Sequence, residues 1–232
     1  MKKVLRNSFA LTLLMFLFSI PYIYYFYYVY LARMTVVSFA TEAEVYMIGF
    51  LQLLGLVVLV ISVSSLIGFT GSEKLGFKGW GDWQLIKESL QKILLFGIII
   101  ALVTYLFRDY HLLNEFRSYY PSSVILLSGT PLYISIFKEL CARFGLVTLL
   151  AGVFKTEQLA IILAAIIFAI AQIAVYQLIG ILTQFDWLLL TVLIGELIVS
   201  IFLGYLYLKK GLGMSVAVSF VANLRLMLLF FV

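Results

Sequence analysis

The chain has 232 residues, 64% of them hydrophobic and 12% charged, with a net charge of +5 and a mean hydropathy of +1.14. An ordinary soluble domain is about 45–50% apolar and about 25% charged, so the composition excludes that class and points to a polytopic membrane protein. The one cysteine, Cys141, excludes an internal disulfide and a Cys-rich metal site, and the one histidine, His111, argues against a His-based one.

The N-terminus begins with Lys2, Lys3 and Arg6 and then runs uncharged over positions 7–32, 26 residues. A secretory signal has an apolar region of about 7–15 residues, so the reading is a retained first transmembrane helix. With about 20 apolar residues needed to cross a bilayer, seven spans are expected: 8–31, 45–69, 85–107, 131–154, 158–176, 187–208 and 211–231. The start of the third, "DWQLIKESLQK", is amphipathic and is read as emerging along the interface, Lys87 and Lys92 snorkelling to the headgroups. Residues 118–130 are a candidate re-entrant or interfacial piece, which makes eight segments the alternative count. No linker, repeat or low-complexity block interrupts the chain, so positions 1–232 read as a single membrane domain.

Orientation follows from lysine and arginine. With the N-terminus inside, the inner segments carry Lys2, Lys3, Arg6, Lys74, Lys78, Lys87, Lys92, Lys155, Lys209 and Lys210, and the outer ones carry Arg33, Arg108 and Arg117. The expectation is a cytoplasmic-membrane protein with its N-terminus inside and its C-terminus outside. Tyr22 to Tyr30, Tyr105, Tyr119 and Tyr120 near the outer ends, and Trp80 and Trp83 near an inner one, fit interfacial belts. The positive charge is explained by topology and by anionic lipid, with no call for nucleic acid. The partners expected are the bilayer itself and another membrane protein or a hydrophobic or lipidated peptide.

The polar side chains left inside the membrane are Lys138, Glu139 and Arg143 on helix four, Gln172 on five, Glu196 on six, and Ser219, Asn223 and Arg225 on seven. Each central Lys, Arg or Asp costs about 2.5–3.5 kcal/mol on insertion scales, whereas a Leu, Ile, Phe or Val returns about 0.3–0.6. Helix four therefore depends on its neighbours for its place in the membrane, and these residues are the functional candidates. Glu139 and Arg143 are i,i+4 and share a face, as are Ser219 and Asn223. Three helices thus offer polar groups to one pocket. Glu139–Arg143 reads as a structural ion pair, and Glu196 is the expected partner of Lys138.

These residues carry a resemblance. The chain resembles the CPBP family, the CAAX-protease and bacteriocin-processing (Abi) intramembrane proteins, over about positions 75–224. The family's first motif, Glu-Glu-x-x-x-Arg, corresponds to "KELCARFG"; its second, Phe-x-x-x-His, to "FAIAQ", Phe168 to Gln172; its third, His-x-x-x-Asn, to Ser219 and Asn223 after "GYLYLKKGLG". The stretch "LGFKGWGDWQLIKESLQKILLFGIIIAL" also resembles the family's entry into its third helix. The resemblance implies an all-α CPBP-like bundle with a cavity lined by helices four to seven. In the family, the first Glu and the two His activate water and support the tetrahedral intermediate; Lys138, Gln172 and Ser219 stand there. Retained are Glu139, Arg143, Phe168 and Asn223, which in the family shape the helix or hold the oxyanion. A neutral amide such as Gln172 cannot serve as a general base.

The degenerate site Lys138, Glu139, Arg143, Gln172, Ser219 and Asn223 is therefore expected to be catalytically inactive, with no cofactor and no metal. The implied role is a binding or regulatory scaffold for a membrane partner or a hydrophobic or lipidated peptide. The alternative is an active CAAX-type endopeptidase with altered chemistry, Lys138 activating Ser219 and Gln172 or Asn223 donating to the oxyanion. Cys141 has no histidine near it in the sequence and reads as packing, and His111 as a solvated loop residue. A transporter is disfavoured, because no inverted repeat or pair of Gly/Pro-broken helices is present.

Overall fold

A computed structural model of the chain describes residues 2–26, 42–115, 124–178 and 187–229, and among these every element is helical. The order is α1 (Lys2–Phe26), α2 (Glu42–Leu75), α3 (Trp83–Glu88), α4 (Leu90–Thr104), a π-helical segment π1 (Tyr105–Asp109), α5 (Tyr110–Glu115), α6 (Val124–Glu139), a second π-helical segment π2 (Leu140–Val147), α7 (Thr148–Phe154), α8 (Glu157–Leu178), α9 (Trp187–Lys210), α10 (Leu212–Asn223) and α11 (Arg225–Leu229). The backbone of α4, π1 and α5 is continuous, as is that of α6, π2 and α7.

Among the described residues, five helices are long and apolar enough to cross a membrane: Lys2–Ile23, Met47–Leu75, Leu90–Leu113, Glu157–Gln177 and Trp187–Lys210. The two other expected spans, 131–154 and 211–231, fall on runs that are not both long and apolar enough by that measure. The run 124–154 carries Lys138, Glu139 and Arg143, and Leu212–Leu228 is a shorter apolar helix. Bilayer-grade apolarity is clearest where it faces outward: the second span has a mean hydropathy of 2.5, yet only 11% of its most apolar window is buried in protein. Leu51, Leu56, Leu59 and Val63 on α2, and Leu95, Ile98 and Leu102 on α4, are likewise exposed. In water such a surface would aggregate; in lipid it is the ordinary outer wall.

The expected interfacial start of the third segment is α3, a helix with no buried residue whose Asp82 carboxylate accepts from the Gln84 amide at 2.9 Å. The turn before it is stapled to the start of α10, since Leu212 N–H donates to Gly79 O at 2.9 Å and Gly213 N–H to Trp80 O at 2.8 Å. Gly211 has φ +92, and a Cβ there would run into the backbone of Gly81, so the close approach requires glycine. Of the proposed re-entrant stretch 118–130, positions 118–123 lie outside the described residues and the rest forms the first turns of α6.

Helix α10 is central, packing on α4, α6 and α9, while π2 sits between α2 and α8. One core joins Met15, Ile61, Leu140, Phe144, Val147, Tyr207 and Leu212, and a second joins Ile93, Ile100, Leu203, Met214 and Val218. Gly68 on α2 lets the Phe144 ring of π2 lie directly on its backbone. Tyr207 on α9 and Thr148 at the start of α7 share a buried hydroxyl hydrogen bond of 2.7 Å.

Two expectations need correction here. Arg108, counted above among the outer charges, is 8% exposed within π1, and Arg33 and Arg117 lie outside the described residues. His111 lies on α5, half-buried with its ring 5.3 Å from that of Tyr110, and so is helical where a loop was expected. On α1, Tyr22 is half-buried with its ring 4.6 Å from that of Tyr133.

Candidate functional site

A polar crevice opens between α4–π1, α6–π2, α8, α9 and the C-terminal end of α10. It is lined by Arg108, Lys138, Glu139, Arg143, Phe168, Glu196, Ser219, Asn223 and Arg225, with Ile100, Val199, Leu203 and Ala222 among its apolar walls, and is narrow, with a cavity volume of about 30 Å³. Both π segments border it. A π turn is wound wider than an α turn and is found most often at functional sites, because it shifts side chains out of the regular register. Here the shift falls on Arg108 and Asp109 in π1 and on Arg143 in π2.

The charges interlock. Arg108 donates from Nε to Asp109 at 2.8 Å and from Nη1 to Glu196 Oε1 at 2.9 Å. Arg225 donates from Nε to the other Asp109 oxygen at 2.6 Å, and from Nη1 to Asn223 Oδ1 and to the Ala222 carbonyl, both at 2.9 Å. Lys138 Nζ reaches the same Glu196 oxygen at 3.5 Å. Each carboxylate in this group is shared by two cations, the arrangement that offsets removing charges from water. Asn223 in turn donates from Nδ2 to Ser135 Oγ at 2.9 Å and to Ser219 Oγ at 3.4 Å.

Glu139 and Arg143 stand apart from that group. Their ion pair spans 3.4 Å, both side chains are almost wholly buried, and neither Glu139 Oε2 nor Arg143 Nε has a hydrogen-bond partner. The Phe168 ring lies under both neighbouring cations, its centroid 5.7 Å from Lys138 Nζ and 5.7 Å from Arg143 Cζ. A cation over a ring face gains about 0.5–1 kcal/mol where exposed and about 2 kcal/mol or more where desolvated.

Of the six residues of the degenerate site, five line the crevice: Lys138, Glu139, Arg143, Ser219 and Asn223. Gln172, one turn beyond Phe168 on α8, is half-exposed and does not line it. Lys138 and Ser219 face the same space, but Lys138 is engaged by Glu196 and Ser219 by Asn223. Cys141 is half-buried in π2. Among the described residues, no three His, Cys, Asp or Glu side chains come together as a metal site would need.

Sequence reasoning missed Arg108, Asp109 and Ser135. The "FRDY" stretch at the end of an apolar run reads as a helix end returning to water. One signal was present: Lys138, Arg143 and Arg225 outnumber Glu139 and Glu196 inside the membrane, and Asp109 is the next carboxylate adjoining an apolar segment.

Set against protein-family models, curated proteins and solved structures, the chain matches none.

Proposed function

We propose that this membrane protein is a non-proteolytic binding or regulatory protein whose crevice receives a membrane partner or a hydrophobic or lipidated peptide. The proposal keeps the CPBP resemblance of the sequence motifs, a seven-span topology with the N-terminus inside, and a frame whose catalytic groups have been replaced. One observation carries it: the side chains at the positions that would need acid–base chemistry are already committed to one another. Lys138 contacts Glu196, Ser219 accepts from Asn223, and Asn223 also accepts from Arg225, while Gln172 stands outside the crevice. A hydrolytic site needs a base within reach of a water or hydroxyl proton. In this crevice the groups instead hold the surrounding helices around a space lined by both polar and apolar side chains, which is the usual make-up of a binding site.

The test uses purified full-length protein and a prenylated cysteine-containing peptide. Saturable one-to-one binding with no hydrolysis is the expected result. Hydrolysis that disappears in Ser219→Ala would overturn the proposal in favour of an endopeptidase using Lys138 and Ser219.

A further inference from the structure

The charge balance of the crevice is unequal. Among the described residues, Arg108, Lys138, Arg143 and Arg225 line it, and the carboxylates in contact with them are Asp109, Glu139 and Glu196, so four cations meet three anions. A net charge held in a low-dielectric interior is costly unless it is paired. The imbalance is concentrated at one place. Arg108 and Arg225 each make ion pairs of 2.9 Å or less, whereas Lys138 has a single contact of 3.5 Å to an oxygen that Arg108 already occupies. Arg143 is 97% buried with one loose partner and an unpartnered Nε. These two least-satisfied cations lie over the same Phe168 ring.

The geometry points to an anion seat between Lys138 and Arg143, shaped for one carboxylate carried on an apolar chain, a free fatty acid of the surrounding bilayer. A carboxylate would give Lys138 and Arg143 the close anionic contact that neither has. The planar guanidinium is suited to grip its two oxygens, and the lysine adds a point charge. Ile100, Val199, Leu203 and Phe168 supply apolar walls for the first methylenes. A phospholipid fits less well, because its phosphate is diesterified and anchored at headgroup depth.

The inference rests on reading the crevice as a binding site and names one ligand class for it. The experiment is native mass spectrometry of the delipidated full chain with oleate, oleyl alcohol or acetate added. One oleate is expected to be retained per chain. Retention should weaken at least tenfold in Lys138→Met, which leaves the Arg108–Glu196 pair in place, and be unchanged in Lys155→Met at the exposed α7–α8 turn. Oleyl alcohol held as tightly as oleate, or Lys138→Met binding like the wild type, would overturn the seat. Acetate displacing oleate at equal concentration would overturn the fatty-acid source in favour of a soluble carboxylate. Oleate retained by a protein that ignores the prenylated peptide would sink the proposed peptide role and support the seat.

Discussion

The crevice has two charged walls that solve the same problem differently. On the π1–α9–α11 wall, Asp109, Arg108, Glu196 and Arg225 form a chain of contacts between 2.6 and 2.9 Å, with Asp109 and Arg108 each bonded to two ions and Arg225 also bonded to Asn223. On the π2 wall, Glu139 and Arg143 are neighbours on one helical run, 3.4 Å apart and otherwise poorly bonded. The first wall joins three segments far apart in sequence and so acts as a fastening. The second pairs neighbours on one helical run, with the Phe168 ring of α8 as its contact outside that run. Buried charge that is multiply bonded tends to be structural, whereas buried charge held by one long contact leaves capacity for a ligand.

The contrast can be broken by mutation. Asp109→Asn removes the carboxylate that Arg108 and Arg225 share, and the expected loss is the largest, about 3–5 kcal/mol. Thermal unfolding in micelles checks it, and a loss below that of Glu139→Gln would reverse the roles assigned to the two walls. For Glu139→Gln the expected loss is about 1–3 kcal/mol, since one loose ion pair is removed and the amide still offers an acceptor. The same melts should be repeated with oleate present, where Glu139→Gln keeps ligand-induced stabilisation and Lys138→Met loses it.

Away from the charges, Tyr207→Phe deletes the 2.7 Å hydroxyl contact to Thr148 at the start of α7. The expected cost is about 1 kcal/mol, rising if Thr148 finds no other partner. The smallest effect is expected for Ser219→Ala, under about 1 kcal/mol, because Asn223 retains Ser135 at 2.9 Å and Arg225. A melt shifted as far as that of Asp109→Asn would show that Ser219 belongs to the fastening.

Much of this arrangement is visible in the linear chain. The apolar runs mark the helices to within a few residues: 158–176 expected against Glu157–Leu178, and 187–208 against Trp187–Lys210. Periodicity also puts Glu139 beside Arg143 and Ser219 beside Asn223. What it hides is Arg108 and Asp109. An Arg-Asp pair at the end of an apolar run reads as an exit to water, and only the packing of π1 against α9 makes it interior. Gln172 is the opposite case, since a motif match put it with Ser219 and Asn223, but the crevice excludes it.

Composition alone determined that this chain needs lipid, that its elements are helices, and that a handful of intramembrane charges must find partners. Those conclusions depend on the solvation cost of each residue, which is local and additive along the chain. Only the tertiary structure decided which charges meet: Arg108 with Glu196 across 88 positions, and Arg225 with Asp109 across 116. Helices apolar nearly all round carry little pattern to say which side faces protein and which faces lipid. The pairing was set by close packing, through Gly68 under Phe144 and the Gly81–Gly211 crossing, and by the two π turns that aim the charged side chains inward.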